Sequence, residues 1–300
     1  MIYENQTKEI RTHANRLLEH GTVDVVIGYT SGENGLQIPY FARTPEDVSK
    51  IEWGNNAKQN LAAYLLHREE RVGIVAKPCD SRAIVQLIAE GQLNRDRIFI
   101  IGVDCGGMID ESGHPRPGCA ECRVHVPPLF DVHVANENIT QCDASISSEH
   151  ISQDNAPSSD KLKSQDCAAD AISEDNNFSL ERFRNEIDKC ILCYACRQTC
   201  YGCYCQTCFV ERGAPNWLPA KIESGAKMTF HLGRAMHLAG RCVECGGCEA
   251  ACASDVNLRY IIKEIMGFVE DTYGYQAGMD LEVTPPLVAY KSDDKEIGFL

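Results

Sequence analysis

The chain has 300 residues and a formal net charge of −14, from 43 acidic and 29 basic side chains. That balance excludes a surface built to neutralise nucleic-acid phosphates, and solubility accounts for the acidic excess. The apolar fraction of 44% is ordinary for a globular protein, and no apolar run of about 18 residues occurs, so no membrane span is expected.

The N-terminus lacks an apolar core behind a basic start, so no secretory leader is expected and the cytoplasm is the expected location. Residues 1–19 predict a helix with Ile10, Leu17 and Leu18 as apolar positions. VDVVIGY at 23–29 predicts a buried strand, followed by a turn-rich loop at 30–36. Residues 47–67 predict a helix, clearest at 60–66. VGIVA at 72–76 predicts a second strand; Pro78 and Asp80 then mark a helix start that continues through 83–90. RIFIIGV at 97–103 predicts a third strand, ending in Asp104-Cys105-Gly106-Gly107.

Strands alternating with helices imply right-handed crossovers and a mostly parallel sheet, an α/β domain over residues 1–135. Cys79 and Cys105 then fall just past the C-terminal ends of two strands, the edge where open α/β sheets hold ligands. Lys77 and Arg82 flank that edge and are the candidate contacts for a phosphate-bearing cofactor. Cys119 and Cys122 form a C-x2-C pair on the Pro/Gly-rich loop that follows.

Residues 136–177 are low in complexity and read as a linker; Cys142 and Cys167 there carry no partner motif and are not expected to be ligands. Residues 178–275 form the second predicted domain, α-helical around its cysteines. A short helix at 178–189 leads to Cys190, another spans 226–238 with Gly240 as its stop, and an amphipathic helix spans 258–272. His231 and His237 on the middle helix read as packing or surface residues. The stretch 276–300 is expected to run extended along the surface.

Seventeen cysteines in a chain of this class point to metal or redox chemistry rather than disulfides. Cys190, Cys193, Cys196 and Cys200 repeat the spacing of Cys242, Cys245, Cys248 and Cys252, both C-x2-C-x2-C-x3-C. Two-residue gaps let successive sulfurs turn inward on one body, and this spacing favours iron–sulfur cubanes; zinc sites more often show paired C-x2-C units with His. Cys203, Cys205 and Cys208 extend the first motif, and an added metal site, a replacement ligand or a redox thiol all remain open for them. For Cys79, Cys105, Cys119 and Cys122, one more cubane and four separate core cysteines are both open.

The matched motifs resemble those of bacterial two-cluster ferredoxins, in which the fourth cysteine of each motif serves the other cluster. The resemblance implies one cluster on Cys190, Cys193, Cys196 and Cys252, and a second on Cys242, Cys245, Cys248 and Cys200. Two features depart from it: Tyr201 and Ala253 stand where proline usually follows, and the segment between the motifs is long.

GIVAKPCDSRAI, IIGVDCGG and GCAEC, in that order over residues 22–126, resemble the N-terminal part of the coenzyme F420-reducing hydrogenase/dehydrogenase beta-subunit family. That likeness implies a third [4Fe-4S] cluster on Cys79, Cys105, Cys119 and Cys122, together with flavin and F420 sites. The family's flavin-binding part would follow Cys122, where this chain has its low-complexity stretch, and no G-x-G-x-x-G occurs, so a flavin is not expected. Residues 189–300 resemble iron–sulfur subunits of hydrogenase, formate dehydrogenase or heterodisulfide-reductase-like complexes of anaerobes.

The expectation is an electron-transferring iron–sulfur subunit of a cytoplasmic anaerobic oxidoreductase, partnered by other subunits. A flavin-dependent F420 or NAD(P)H oxidoreductase subunit and a zinc-binding interaction module are the alternatives.

Overall fold

The computed structural model describes residues 3–136, 178–211, 213, 218 and 221–290. The low-complexity stretch from 137 onward, with Cys142 and Cys167, and the last ten residues lie outside the described residues.

Short apolar runs rich in Val and Ile make the sheet. Strands β1 (Val25–Ser31), β2 (Gln37–Ala42), β3 (Val72–Ala76), β4 (Ile98–Val103) and β5 (Val132–Val134) lie in the order β2-β1-β3-β4-β5. Pairs β1·β3, β3·β4 and β4·β5 are parallel, and β2 is an antiparallel edge. The register of the central pair, Val72↔Ile98 through Ala76↔Gly102, brings the ends of β3 and β4 level. All of β3 is buried, as expected of a central parallel strand covered on both faces.

Helix α1 (Glu4–Glu19) packs beside the sheet through Ile10, Ala14 and Leu17. The short helix α2 (Pro45–Val48) follows β2. Helix α3 (Pro78–Ala89) leaves β3 directly. Pro78 sits where a helix tolerates it, and the Asp80 carboxylate accepts from the Lys77 backbone N–H at 3.3 Å. Helix α3 is buried along almost its whole length because the chain after residue 178 covers the side away from the sheet.

The sequence reading departs from the structure in two places. Residues 47–67 do not form a helix; after α2 the chain is irregular until a 3-10 turn at Leu61–Leu65. Ile51, Trp53, Ala57 and Leu61 are buried from that irregular path. Its backbone groups are satisfied elsewhere: Arg11 Nε donates to Ile51 O at 2.7 Å, and Trp53 N donates to Thr7 Oγ1 at 3.1 Å. Strand β2 escapes the sequence reading because Pro39 sits inside it, and proline is tolerated there only because β2 is the sheet edge. Tyr275 and Ala277, at the junction with the 276–300 stretch, are buried in the sheet's own core, while residues 279–290 are mostly exposed or half-buried.

The later residues form α5 (Leu180–Asp188), α7 (Ser224–His237) and α9 (Arg259–Tyr273), preceded in the sheet half by the one-turn α4 (Pro117–Ala120). One-turn helices α6 (Ala195–Gln198) and α8 (Gly247–Ala250) lie within the cysteine motifs. Ser179 caps α5 by accepting from Arg182 N at 3.3 Å. Phe183, Ile187, Leu238, Tyr260 and Ile262 share a small core between α5, α7 and α9. Tyr201, Val243 and Val269 join the core of the sheet half. Among the described residues no helix is long and apolar enough to cross a membrane.

Candidate metal centres

The two cysteine motifs fold as copies of one loop. Leu192 and Glu244, two residues after the first cysteine of each motif, have φ of +54° and +56°. Tyr194 and Gly246, after the second cysteine, have +61° and +67°. Helices α6 and α8 follow at matching positions. Three of these four left-handed residues are not glycine, and each such conformation costs about 1–3 kcal/mol, which cores rarely accept without a functional reason. The backbone turns its N–H groups toward sulfur: Leu192 N donates to Cys190 Sγ and Glu244 N to Cys242 Sγ, both at 3.3 Å. Val256 N donates to Cys252 Sγ at 3.4 Å. Such bonds stabilise thiolate charge.

The sulfurs are grouped across the motifs. Cys200, Cys242, Cys245 and Cys248 line one cavity together with Tyr201, Arg234 and Leu238. Burial pushes the Cys242 thiol well up, and the nearby Cys245, Cys248 and Cys200 add to the effect. Burial likewise raises Cys245 to about 12. Cys196 is raised to about 11 by burial, and Cys248, Cys190 and Cys252 are among its neighbours. Cys190, raised by burial, has Cys252 and Cys193 beside it. Packing that keeps thiols neutral is reversed when a metal binds, because a coordinating thiol is deprotonated outright.

The first four-cysteine set of the chain comes from three elements. Cys79 is in the first turn of α3, Cys105 follows β4, and Cys119 and Cys122 lie in and just after α4. Burial raises Cys105 to about 12, with Cys119 and Cys122 close enough to add to the shift. Gly107 N donates to Cys105 Sγ at 3.4 Å. Burial raises Cys79 well above its ordinary range, and its sulfur neighbours include both Cys105 and Cys245. The sheet-edge set and the cavity set therefore stand side by side. Among the described residues no three His, Cys, Asp or Glu side chains converge tightly enough to hold a single metal ion.

Lys77 and Arg82 are spent inside the protein. Lys77 Nζ donates to the Tyr29 hydroxyl at 2.5 Å, to Gln59 O at 2.6 Å and to both Asp80 oxygens at 2.9 Å. Desolvation is the largest influence on Lys77 and opposes its charge, but Asp80, Tyr29 and Cys79 together outweigh it and hold the ammonium charged. Arg82 donates from Nε and Nη2 to Ala277 O at 3.1 and 2.8 Å, and from Nη1 to Val243 O at 3.4 Å. It holds the chain beside Cys242.

Cys203, Cys205 and Cys208 have different neighbours. A hydrogen bond with Cys200 lowers the Cys203 thiol. Cys205 is exposed. The Cys208 N–H donates to Glu211, whose carboxylate pairs with Arg197. His231 is buried with no partner for Nε2 among the described residues, and His237 packs edge-on to Phe209.

Sequence reasoning misses two residues that the structure places at the sulfurs. Tyr201, standing where proline is usual, donates its hydroxyl to Arg241 O and accepts from Val243 N at 3.1 Å, so it pins both sides of Cys242. Arg234 lines the cavity. Its signal is its position on the apolar stripe Ala226–Phe230–Arg234–Leu238 of α7, where a charge is out of place.

No family model matches this chain. It is 24% identical over an alignment of 349 positions to the F420-dependent formate dehydrogenase subunit beta of Methanocaldococcus jannaschii, covering 90% of this chain and 91% of that protein. It is 23% identical over an alignment of 363 positions to the F420-dependent formate dehydrogenase 1 subunit beta of Methanococcus maripaludis, covering 90% of each. The chain resembles F420-dependent dehydrogenase beta subunits. The likeness covers nine-tenths of the chain and so runs through both cysteine-bearing halves.

Proposed function

We propose that this chain is an iron–sulfur electron-transfer subunit of an oxidoreductase complex of the F420-dependent formate dehydrogenase type, working beside other subunits. The observation that carries the reading is the cavity lined by Cys200 from the first motif and by Cys242, Cys245 and Cys248 from the second. Four thiols from two motifs around one cavity suit the four-thiolate ligand set of a [4Fe-4S] cluster. The proximity of Cys252 to Cys190 and Cys196 supports the reciprocal set with Cys193. Cys79, Cys105, Cys119 and Cys122 would hold a third.

When bound, each cluster supplies one-electron chemistry. The protein's own part is to strip water from the sulfurs, aim backbone N–H groups at them and fix both motifs against the sheet. The second half is proposed to be a ferredoxin-type dicluster unit, since its two loops share backbone conformation as well as spacing. No site for an organic substrate is assigned to this chain, whose partners would carry that chemistry.

Iron, sulfide, zinc and flavin content of anaerobically purified protein tests the reading. About 12 iron per chain is expected from three four-cysteine sets, and about 8 would remove the sheet-edge set. About 4 zinc without iron would replace the reading with a zinc module. A tightly bound flavin bleached by reduced F420 or NAD(P)H would replace it with a flavoenzyme subunit.

A further inference from the structure

Arg234 is 5% exposed, yet no carboxylate pairs with it among the described residues. Its Nη2 donates to Cys196 O at 3.2 Å, and its Nε has no acceptor. An unpaired guanidinium in a protein interior is costly, and such a charge persists where something else balances it. Glu244 and Arg259 line the same cavity, but the groups that most favour its charge are the sulfurs of Cys248, Cys200, Cys203 and Cys196. It lines the cavity with Cys200 and Cys248, its charge acts on Cys248 and Cys203, and it touches the backbone of Cys196. Cys196 belongs to one proposed four-cysteine set, and Cys200 and Cys248 belong to the other.

We infer that Arg234 is the shared counter-charge of the two C-terminal cysteine sets, a positioning residue that stabilises added negative charge on both and so sets their reduction equilibria. The inference rests on the proposed reading that those cysteines hold clusters. A fully cysteine-ligated set is already anionic, and taking up one electron makes it more so. A fixed cation with a free donor at low dielectric favours that reduced state. Helix α7 presents the guanidinium between the motifs, where its charge falls on both; a surface lysine would be screened by water and salt.

The test is potentiometric titration followed by EPR on the full chain and on Arg234→Gln and Arg234→Lys, each with iron content measured. Arg234→Gln is expected to keep its iron and to move the reduction equilibrium of these sets about tenfold toward the oxidised state, about 59 mV for a one-electron couple. Arg234→Lys keeps the charge and should shift by less than half as much on that scale. Full iron in Arg234→Gln with both equilibria within twofold of the parent would overturn the inference. If Arg234→Gln fails to keep iron, Arg234→Lys decides: full iron with the smaller shift supports a charge role, and equal loss of iron overturns it. Absence of iron from the unmodified chain would instead overturn the cluster reading itself.

Discussion

Gly278 marks a close contact between the two halves of the chain, and replacing it with alanine gives a quantitative test of that contact. Its φ is +72°, and a Cβ built there would lie 2.0 Å from Arg82 O, 2.6 Å from Arg82 C and 2.9 Å from Arg82 Cα. These are backbone atoms of α3, so no rotamer change relieves the overlap. Ordinary contact starts near 3.4 Å, so the 275–278 segment must retreat by more than an ångström. The retreat breaks both Arg82 bonds to Ala277 O, leaving a buried guanidinium short of an acceptor. The left-handed backbone costs alanine about 1–2 kcal/mol. A lost hydrogen bond to a charged group costs about 1.5–3 kcal/mol. Counting the two bonds to the one acceptor as a single loss, these predict about 2.5–5 kcal/mol, a large share of the ~5–15 kcal/mol typical of a folded domain. The assay is the urea midpoint by far-UV circular dichroism under anaerobic conditions, with the slope checked for constancy. Gly274→Ala is the control: φ there is +61°, but nothing lies within 4 Å of the added Cβ. Only its conformational cost, about 1–2 kcal/mol, should appear. Equal midpoints for Gly278→Ala and Gly274→Ala would refute the close contact between α3 and the 275–278 segment.

Three further outcomes follow from the same geometry. Cys200→Ala should lose about 4 iron, with loss of the EPR signal from the Cys242 set, while Cys252→Ala should affect the Cys190 set; the opposite pairing would refute crossed ligation. Lys77→Met should cost about 3–5 kcal/mol by leaving Asp80 buried without its cation, and adding Asp80→Asn should recover part of that; a urea midpoint for the single variant equal to the parent's would show that the pair is not buried. Burial, then Arg234 and Lys227, lower His231 from 6.5 to about 4. Between those values the unfolded chain binds the extra proton, so stability falls as pH drops. The contribution at pH 5.5 relative to 7.5 is about 1 kcal/mol, and His231→Phe should remove it. An unchanged difference between the two pH values in the variant would exclude His231 as its source.

The central sheet is legible because its strands are short, apolar and uninterrupted: the predicted strand at 72–76 coincides with β3, and Pro78 marks the start of α3. The edge strand is hidden by Pro39, whose ring is harmless only at an edge that sequence alone does not define. The 47–67 stretch has helical spacing but is held irregular by Arg11 and Thr7 from α1, a long-range competition invisible to a local pattern. In the site, the repeated cysteine spacing announces the repeated loops. The internal partners of Lys77 and Arg82 are Asp80, Gln59, Ala277 and Val243, which a position beside the sheet edge does not reveal. Tyr201 reads as a departure from a proline pattern, yet its hydroxyl bridges Arg241 and Val243 across the fold.

Under the proposed reading, the neighbours of the sulfurs give the three cysteine sets an order. Cys79 of the sheet-edge set has Cys245 beside it, and Cys196 of the last set has Cys248 beside it. Cys245 and Cys248 both belong to the cavity set, which therefore has a neighbour on each side. A route between the sheet edge and the loop carrying exposed Cys193 would pass through it. Electron hopping falls off steeply with distance, so a small displacement of the middle set would weaken both junctions at once. The tethers meet that demand. Tyr201 pins residues 241 and 243 from the first motif, Arg82 holds Val243 from α3, and Glu90 at the end of α3 pairs with Arg241 at 2.8 Å. Arg116, in turn, donates to Gly246 O at 2.7 Å from the loop that carries Cys119. The loop tethered to both halves is thus the one whose sulfurs must stay within reach of both neighbours.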